Sequence, residues 1–325
     1  MEDIIFNTRN PDWIKGEIIG VSLLADCVMV SKNCIIFNNH QIYKYTHIND
    51  IKNDSSFQTN LNKCKIIAIY SKYNFGILDI FIDNILGMLS KQVNIIICGE
   101  DITFPNSLDK RFKNISTLRK RKFIKFIKHD NINKVFVENL DEKIDKTISI
   151  PVGINVKECI HSFKYFKKFE KIDPNKPLMV TNFNRIRTGH QWCERYYVKN
   201  QIINFWSKFA IDFSDQSYKH SDFLQLLSKY PFTICVHGGG VDPCPKLYES
   251  ILVGTIPIVI NNTILTYLYD DLPIVFLNSW ESNEITVDKL KFWHNKFYHY
   301  YTDIKLRNQV LNKLSLKYWK NIIET

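Results

Sequence analysis

Between Tyr230 and Trp280 the chain reads YPFTICVHGGGVDPCPKLYESILVGTIPIVINNTILTYLYDDLPIVFLNSW, and few folds accommodate that order. A β-rich run from Phe232 to Val236 stops at Gly238, Gly239 and Gly240. A proline opens a helical segment shortly after Asp242, and a second β-rich run, Ile256 to Ile260, follows Gly254. Strand, turn, helix and strand in this order make a βαβ unit of a parallel sheet. Glycines lack Cβ, so the turn can be sharp and its N–H groups can approach an anion closely. The helix that follows aims its positive end at the same spot. On that helix Lys246 and Glu249 share one face, while Leu247 and Ile251 share another that can pack on the sheet. Singly, each residue has a structural explanation: glycine turns follow strands in many α/β proteins, and the dipole alone favours Glu early in a helix. Together they stand in the order of a nucleotide site at the carboxyl end of a parallel sheet. Neither a dinucleotide fingerprint nor a Walker loop is present, since no G-x-G-x-x-G and no G-K-[ST] occurs here.

The rest of the chain bounds the possibilities. Its 325 residues are about two domains long, and 45% hydrophobic content supplies two cores. The first residues, MEDIIFNTRNPDW, show neither the basic nor the apolar region of a signal peptide. Apolar runs such as NFGILDIFIDNILGML are interrupted by Asp79 and Asp83, short of the roughly 18 residues of a membrane span. Eight cysteines without a C-x-x-C fit free thiols and a soluble protein of the reducing cytoplasm. No paired spacing of a zinc site occurs. The net charge of +10 gathers in runs such as LRKRKFIKFIKHD (118 to 130). There Phe123, Phe126 and Ile127 form an apolar stripe and Arg119, Lys122 and Lys125 lie elsewhere, which predicts an amphipathic helix with a solvated face and no nucleic-acid partner. Richness in Asn, Ile and Lys matches an AT-rich genome such as that of a large virus or a parasite.

Alternating patterns organise the chain into an α/β protein. From Lys63 on, KIIAIYS, VNIIICG, KVFVENL and TISIPVG read as strands, with helices over ILDIFIDNILGML and the basic 118 to 130 segment between them, which argues for a doubly wound parallel sheet in a first domain of residues 1 to 155; over 15 to 60, short β-like runs such as EIIGVSLL and NCIIFNN alternate with Asn-rich turns and their order stays open. A polar, Lys-rich stretch from Asn155 to Pro177 reads as a link. Over residues 177 to 300 the alternation restarts: LMVTNF, a helix from His190 to Phe209, FAIDFS, a helix over HSDFLQLLSKY with Ser221 as its cap, the βαβ unit, and IVFLN. Helices over 286 to 301 and 303 to 323 close the chain.

The second half resembles the exostosin-like glycosyltransferases at Gly238 to Gly240, Asp242, Lys246, Glu249, Gly254, Ile256, Pro257, Ile258, Asp271, Leu272, Pro273 and Trp280. Weaker echoes lie in ICGEDITFP (97 to 105), VFVENLDEKIDKTISIPVGINV (135 to 156), and Asn182, Phe183 and Arg195. The basic position is usually Arg in that pattern; here it is Lys246, a point charge that cannot form a bidentate fork. Fucosyltransferase-like enzymes of similar architecture carry a Lys near this point. The resemblance implies the glycosyltransferase-B architecture: two Rossmann-like domains facing a cleft, donor on the C-terminal one, acceptor on the N-terminal one, and the last helix, 301 to 325, returning to the first domain. It also implies transfer of a sugar from a nucleoside-diphosphate sugar, a UDP-sugar above others, to a glycan or protein acceptor, with no metal or other cofactor.

Glycosyl transfer needs a held leaving diphosphate and, for inversion, a base for the acceptor hydroxyl. The donor-binding candidates are Gly238, Gly239, Gly240 and Lys246 on the diphosphate, Glu249 on the ribose, and Arg185 or Arg187 after the LMVTNF strand, where Arg matches phosphate oxygens. Asp242 is expected to face the sugar. Glu100 and Asp101, at the end of IIICGED, are the first candidates for the base, with His237 and Asp242 as competitors. Asp270 and Asp271 form an acidic pair, but Asp between helix and strand favours a turn. A nucleotide-sugar epimerase or hydrolase of the same shape, or an inactive nucleotide-sugar-binding protein, are the alternative readings.

Overall fold

The computed structural model describes residues 6–7, 24–30, 35–38, 41–44, 48–70, 75–99, 102–108, 115–155, 178–186, 192–238, 240–243, 245–262, 264, 268–269 and 271–325. They divide into two compact units. The first comprises Ile5–Val152 with Gly239–Val241 and Leu316–Thr325; the second comprises Gly153–Gly238 and Asp242–Ser315. Each is α/β, and each is built on its own sheet, as the alternating patterns require.

In the first unit the elements run β1 (Cys27–Val30), β2 (Ile35–Asn38), β3 (Gln41–Lys44), α1 (Ile48–Asn53), α2 (Ser55–Leu61), β4 (Ile66–Tyr70), α3 (Gly76–Ile80, continued by a wider turn over Phe81–Ile85), β5 (Val93–Cys98), α4 (Thr117–Ile127), β6 (Ile132–Val137) and β7 (Thr147–Ser149). The sheet order is β3-β2-β1-β4-β5-β6-β7. From β1 to β7 every pairing is parallel, and β2 and β3, in the stretch whose order the sequence leaves open, add an antiparallel hairpin at one edge. Its register sets Asn38 opposite Gln41, and a connection that short can only reverse the chain. The central strands β4 and β5 are buried along their whole length, so β4 reads as a continuous apolar run and β5 as one broken only by Asn94.

Helix α4 shows why its basic run needs no partner for its apolar side. Ser116 caps it by accepting the Arg119 N–H, and Phe123, Phe126 and Ile127 are buried. Arg119 and Lys122 pair with Asp79 and Asp83, the same residues that interrupt the apolar run of α3.

The second unit runs β8 (Val180–Asn182), α5 (Cys193–Gln201, continued over Ile202–Trp206), β9 (Ala210–Asp212), α6 (His220–Leu227), β10 (Phe232–Ile234), α7 (Pro245–Leu252), β11 (Ile256–Ile260), β12 (Val275–Leu277), α8 (Val287–Phe297), α9 (His299–Thr302) and α10 (Ile304–Lys313). All pairings are parallel, in the order β9-β8-β10-β11-β12. Pro257 lies inside β11 without breaking it. The Ile256 N–H points to Pro231 O on the β10 side, so the position of Pro257 falls on the other side, where pairing with β12 starts only at Ile258. Two boundaries differ from expectation. Lys219, in extended conformation, precedes α6, and Ser221 lies inside the helix with its hydroxyl on Asp222, because the helix begins two residues earlier than a serine cap would place it. The last helix breaks at Leu314 and Ser315, and α11 (Leu316–Glu324) belongs to the first unit, where Asn94 Nδ2 donates to Ile323 O at 2.6 Å.

Asp271 occupies a turn and pairs with Lys313; Asp270 lies outside the described residues. Cys27, Cys64, Cys98, Cys193 and Cys235 are free thiols, all buried except Cys193. Among the described residues no helix is long and apolar enough to cross a membrane.

Candidate functional site

The chain leaves β8 for β9 on one side and returns to β10 on the other, so the strand order reverses between β8 and β10. A crevice at the carboxyl ends of two such strands is where open parallel sheets bind ligands. The sequence-predicted donor residues of the second unit gather at this point.

After β8 comes Phe183, then Asn184, which is fully buried and acts as a junction. Its Nδ2 donates to Asn182 Oδ1 (2.6 Å) and Ile234 O (2.8 Å), while its Oδ1 accepts the Val236 N–H (3.3 Å) and Lys246 Nζ (2.6 Å). One side chain thus ties β8, the end of β10 and the first turn of α7 together. A buried amide with all these groups satisfied fixes geometry strongly. Helix α7 presents Lys246 on its first turn and Glu249 on the next, and Gly254, at φ +78°, lets the chain leave the helix for β11. Glu249 is 5% exposed, and its Oε1 lies 2.8 Å from His220 Nε2 at the start of α6. The far end of α7 is also held. Arg307, buried, donates Nη1 to Ile251 O (2.7 Å) and Nη2 to Leu252 O (2.8 Å), a cation at the negative end of the helix dipole.

Helix α5 supplies groups that the motif does not contain. Arg195 lies over the Trp192 ring at 4.1 Å and donates to Arg185 O at 3.0 Å. A Cβ added to Gly238 would sit 3.7 Å from Arg195 Nη2, so the guanidinium stands beside the first glycine of the turn. Glu194 Oε2 is 2.8 Å from His237 Nε2, and its Oε1 accepts Trp280 Nε1 at 2.5 Å.

Asp242 follows the glycine turn but points inward: at 2% exposure its Oδ2 accepts the hydroxyls of Tyr248 (2.8 Å) and Tyr269 (3.0 Å), which also touch each other. Burial, with the nearby Asp242 charge, drives the Tyr248 hydroxyl well above its ordinary pKa, so it stays a donor. This geometry gives Asp242 the work of fixing the chain between turn and helix. Gly240 and Val241 belong to the first unit, where Asn139, at φ +61°, accepts the Val241 N–H at 3.1 Å. A Cβ on Gly240 would lie 2.2 Å from Asn139 Oδ1, so only glycine fits. The Arg185 side chain is exposed, and its carbonyl is what meets the site. Arg187, Gly239, Glu100 and Asp101 lie outside the described residues. Among the described residues no three His, Cys, Asp or Glu side chains converge to hold a metal ion.

Sequence reasoning missed Asn184, Glu194, His220 and Arg307 and gave Arg195 only an echo. The one signal available was position: Asn184 lies two residues past a strand, where loops carry ligands.

No family model and no curated protein matches the chain, so the exostosin resemblance rests on its motif residues. Several solved structures are similar in fold. A sucrose-phosphate synthase from Thermosynechococcus elongatus shares 8% identity over 92% of this chain and 84% of its own, with a TM-score of 0.46. HepE of Anabaena, solved with UDP, shares 11% identity over 83% of this chain and 76% of its own (TM-score 0.41). An alpha-glucosyltransferase in complex with UDP-glucose and DNA containing an abasic site shares 10% identity over 83% of each chain (TM-score 0.34).

Proposed function

We propose that this chain is a glycosyltransferase that moves a sugar from a nucleoside-diphosphate sugar, a UDP-sugar above others, to a glycan or protein acceptor. The observation that carries the reading is the convergence at the β8/β10 switch point. Lys246, fixed by Asn184, and Arg195, beside Gly238, place two cations at the carboxyl edge of the sheet. One helical turn beyond Lys246, Glu249 offers a carboxylate. Cations at a helix N-terminus suit a diphosphate, and a carboxylate held on one oxygen by His220 suits a pair of ribose hydroxyls.

In this reading the leaving UDP is stabilised by Lys246, Arg195 and the α7 dipole, so metal is not required. Asp242 acts through the chain it fixes. Glu100 and Asp101 follow β5 at its carboxyl end and are the proposed bases. A transferase consumes donor only when acceptor is present, whereas an epimerase or hydrolase changes it alone and a binding protein leaves it intact. The test is a thermal-shift screen of UDP, GDP, dTDP and their sugars, followed by turnover with glycan acceptors in the presence of EDTA. Stabilisation of about 2.7 kcal/mol is expected at 100 times the dissociation constant. Complete inhibition by EDTA that magnesium reverses refutes the metal-free leaving-group chemistry, and donor conversion without acceptor favours the epimerase or hydrolase.

A further inference from the structure

His237 stands just past the end of β10 with its side chain 44% exposed, and both of its ring nitrogens face oxygens. Nε2 is 2.8 Å from Glu194 Oε2, and Nδ1 is 3.3 Å from Gly238 O. A carboxylate and a carbonyl can only accept. A neutral imidazole has one N–H and one lone pair, so it would set a lone pair against one of these oxygens. The imidazolium alone satisfies both. A histidine beside a carboxylate is also how a general base is built, and the second nitrogen separates the cases: in a base it is open to the proton it takes. Here it is turned to the carbonyl of Gly238. Glu194 is itself anchored by the Trp280 indole.

Resting on the donor site described above, we propose that His237 is a fixed cation, not the base: held by Glu194, it positions Gly238 and adds positive charge beside the donor's diphosphate. Among the described residues the charged groups that bear on the ring are Glu194 and Arg195, both from α5. Burial works against the charge, but the hydrogen bond and charge of Glu194 outweigh it. The Gly238 carbonyl adds to them and Arg195 opposes, leaving His237 above its ordinary pKa. Burial likewise pushes Glu194 up, and His237, Trp280 and Arg195 bring it below the usual carboxylate range. Both directions are those of a formed ion pair.

A raised histidine is fully charged below the ordinary value of 6.5 and loses its charge as pH rises through the raised one. Affinity for a diphosphate should fall across that window, and affinity for the bare nucleoside should not.

The test combines nitrogen NMR of the His237 ring in the full chain with calorimetry of UDP and uridine over the same pH range. Both ring nitrogens should carry protons at neutral pH, and Glu194→Gln should lower the titration. UDP affinity should fall roughly tenfold through the titration, the change that accompanies a one-unit coupling. His237→Lys, confirmed as folded by circular dichroism, should keep UDP affinity through the window, and His237→Gln should show the weaker, pH-flat affinity throughout. A ring with an unprotonated Nδ1 at neutral pH overturns the proposal. So does UDP affinity that stays flat while His237 titrates. If UDP binds at no pH, the donor reading falls and takes the diphosphate half with it, while the NMR still decides the cation.

Discussion

Lys246 Nζ donates to Asn184 Oδ1 at 2.6 Å, which ties the first turn of helix α7 to the loop after β8. The cation that the motif places on α7 is therefore aimed by a residue more than sixty positions earlier. A lysine is a flexible point charge, and this anchor removes much of that freedom before any ligand arrives. A second cation, Arg195, reaches Gly238 from α5.

Lys246→Ala should weaken UDP much more than uridine, because it deletes a charge at the phosphates and leaves the base and ribose contacts alone. The loss expected for a hydrogen bond to a charged group is about 1.5 to 3 kcal/mol. Asn184→Ala should lower affinity as well and cost stability, since the Val236 N–H loses its acceptor. Calorimetry with both ligands checks this, and equal losses for UDP and uridine remove Lys246 from the phosphate site.

Glu249→Ala should remove UDP and uridine binding alike, in contrast to Lys246→Ala, because the ribose is common to both. His220→Ala should do the same in milder form by releasing the Oε1 that it holds at 2.8 Å. Unchanged uridine affinity in Glu249→Ala, with the fold intact by circular dichroism, places the ribose elsewhere.

Gly240→Ala should destabilise the protein through Asn139. The added Cβ would meet Asn139 Oδ1 at 2.2 Å, far inside contact distance. A loss of about 1 to 3 kcal/mol is expected for overpacking of this kind. Asn139→Gly should relieve most of it in the double variant, because glycine also accepts the φ of +61° at that position. Denaturant melts of the two single variants and the pair measure the coupling; strict additivity refutes the contact.

Arg307→Met should lower stability by at least about 1 to 3 kcal/mol, the cost of leaving a buried acceptor unsatisfied. Two carbonyls at the end of α7 lose their donor, and methionine fills much of the space without replacing a hydrogen bond. The change should raise the unfolding rate or lower the melting temperature while any nucleotide added back recovers part of the loss. A melting temperature equal to that of the unchanged protein means that the carbonyls find other partners.

Local pattern made the elements legible, and distance hid their connections. Glycine turn, proline and two β-rich runs placed α7 between β10 and β11, and the stripe of Phe123, Phe126 and Ile127 gave the buried side of α4. These depend on neighbours in sequence. The hairpin of β2 and β3 carries no such signal, because short Asn-rich runs have little periodicity to separate parallel from antiparallel pairing. In the site, Lys246 and Glu249 announce themselves by spacing, but Asn184, Glu194 and His220 have no motif of their own. Each matters through a partner 29 to 62 positions away, or 43 for Glu194 and His237, and only the strand order brings them together.

If His237 is spent on Glu194 and Gly238, and Asp242 on two tyrosines, proton removal from the acceptor falls to Glu100 or Asp101, the acids that follow β5. The end of that strand is shaped with care: the Gly99 N–H donates to buried Glu138 at 2.8 Å, and a Cβ on Gly99 would strike the Tyr70 ring. Glu100→Gln and Asp101→Asn should leave UDP affinity unchanged, because neither belongs to the donor site. At least one should slow transfer by about 10² to 10⁴, the usual contribution of a general base, and should flatten the acid limb of the pH profile. Single-turnover rates at saturating donor separate this from a binding effect. If both variants transfer at the original rate, the reaction proceeds without a base from this strand, as a retaining mechanism with the leaving phosphate taking the proton would.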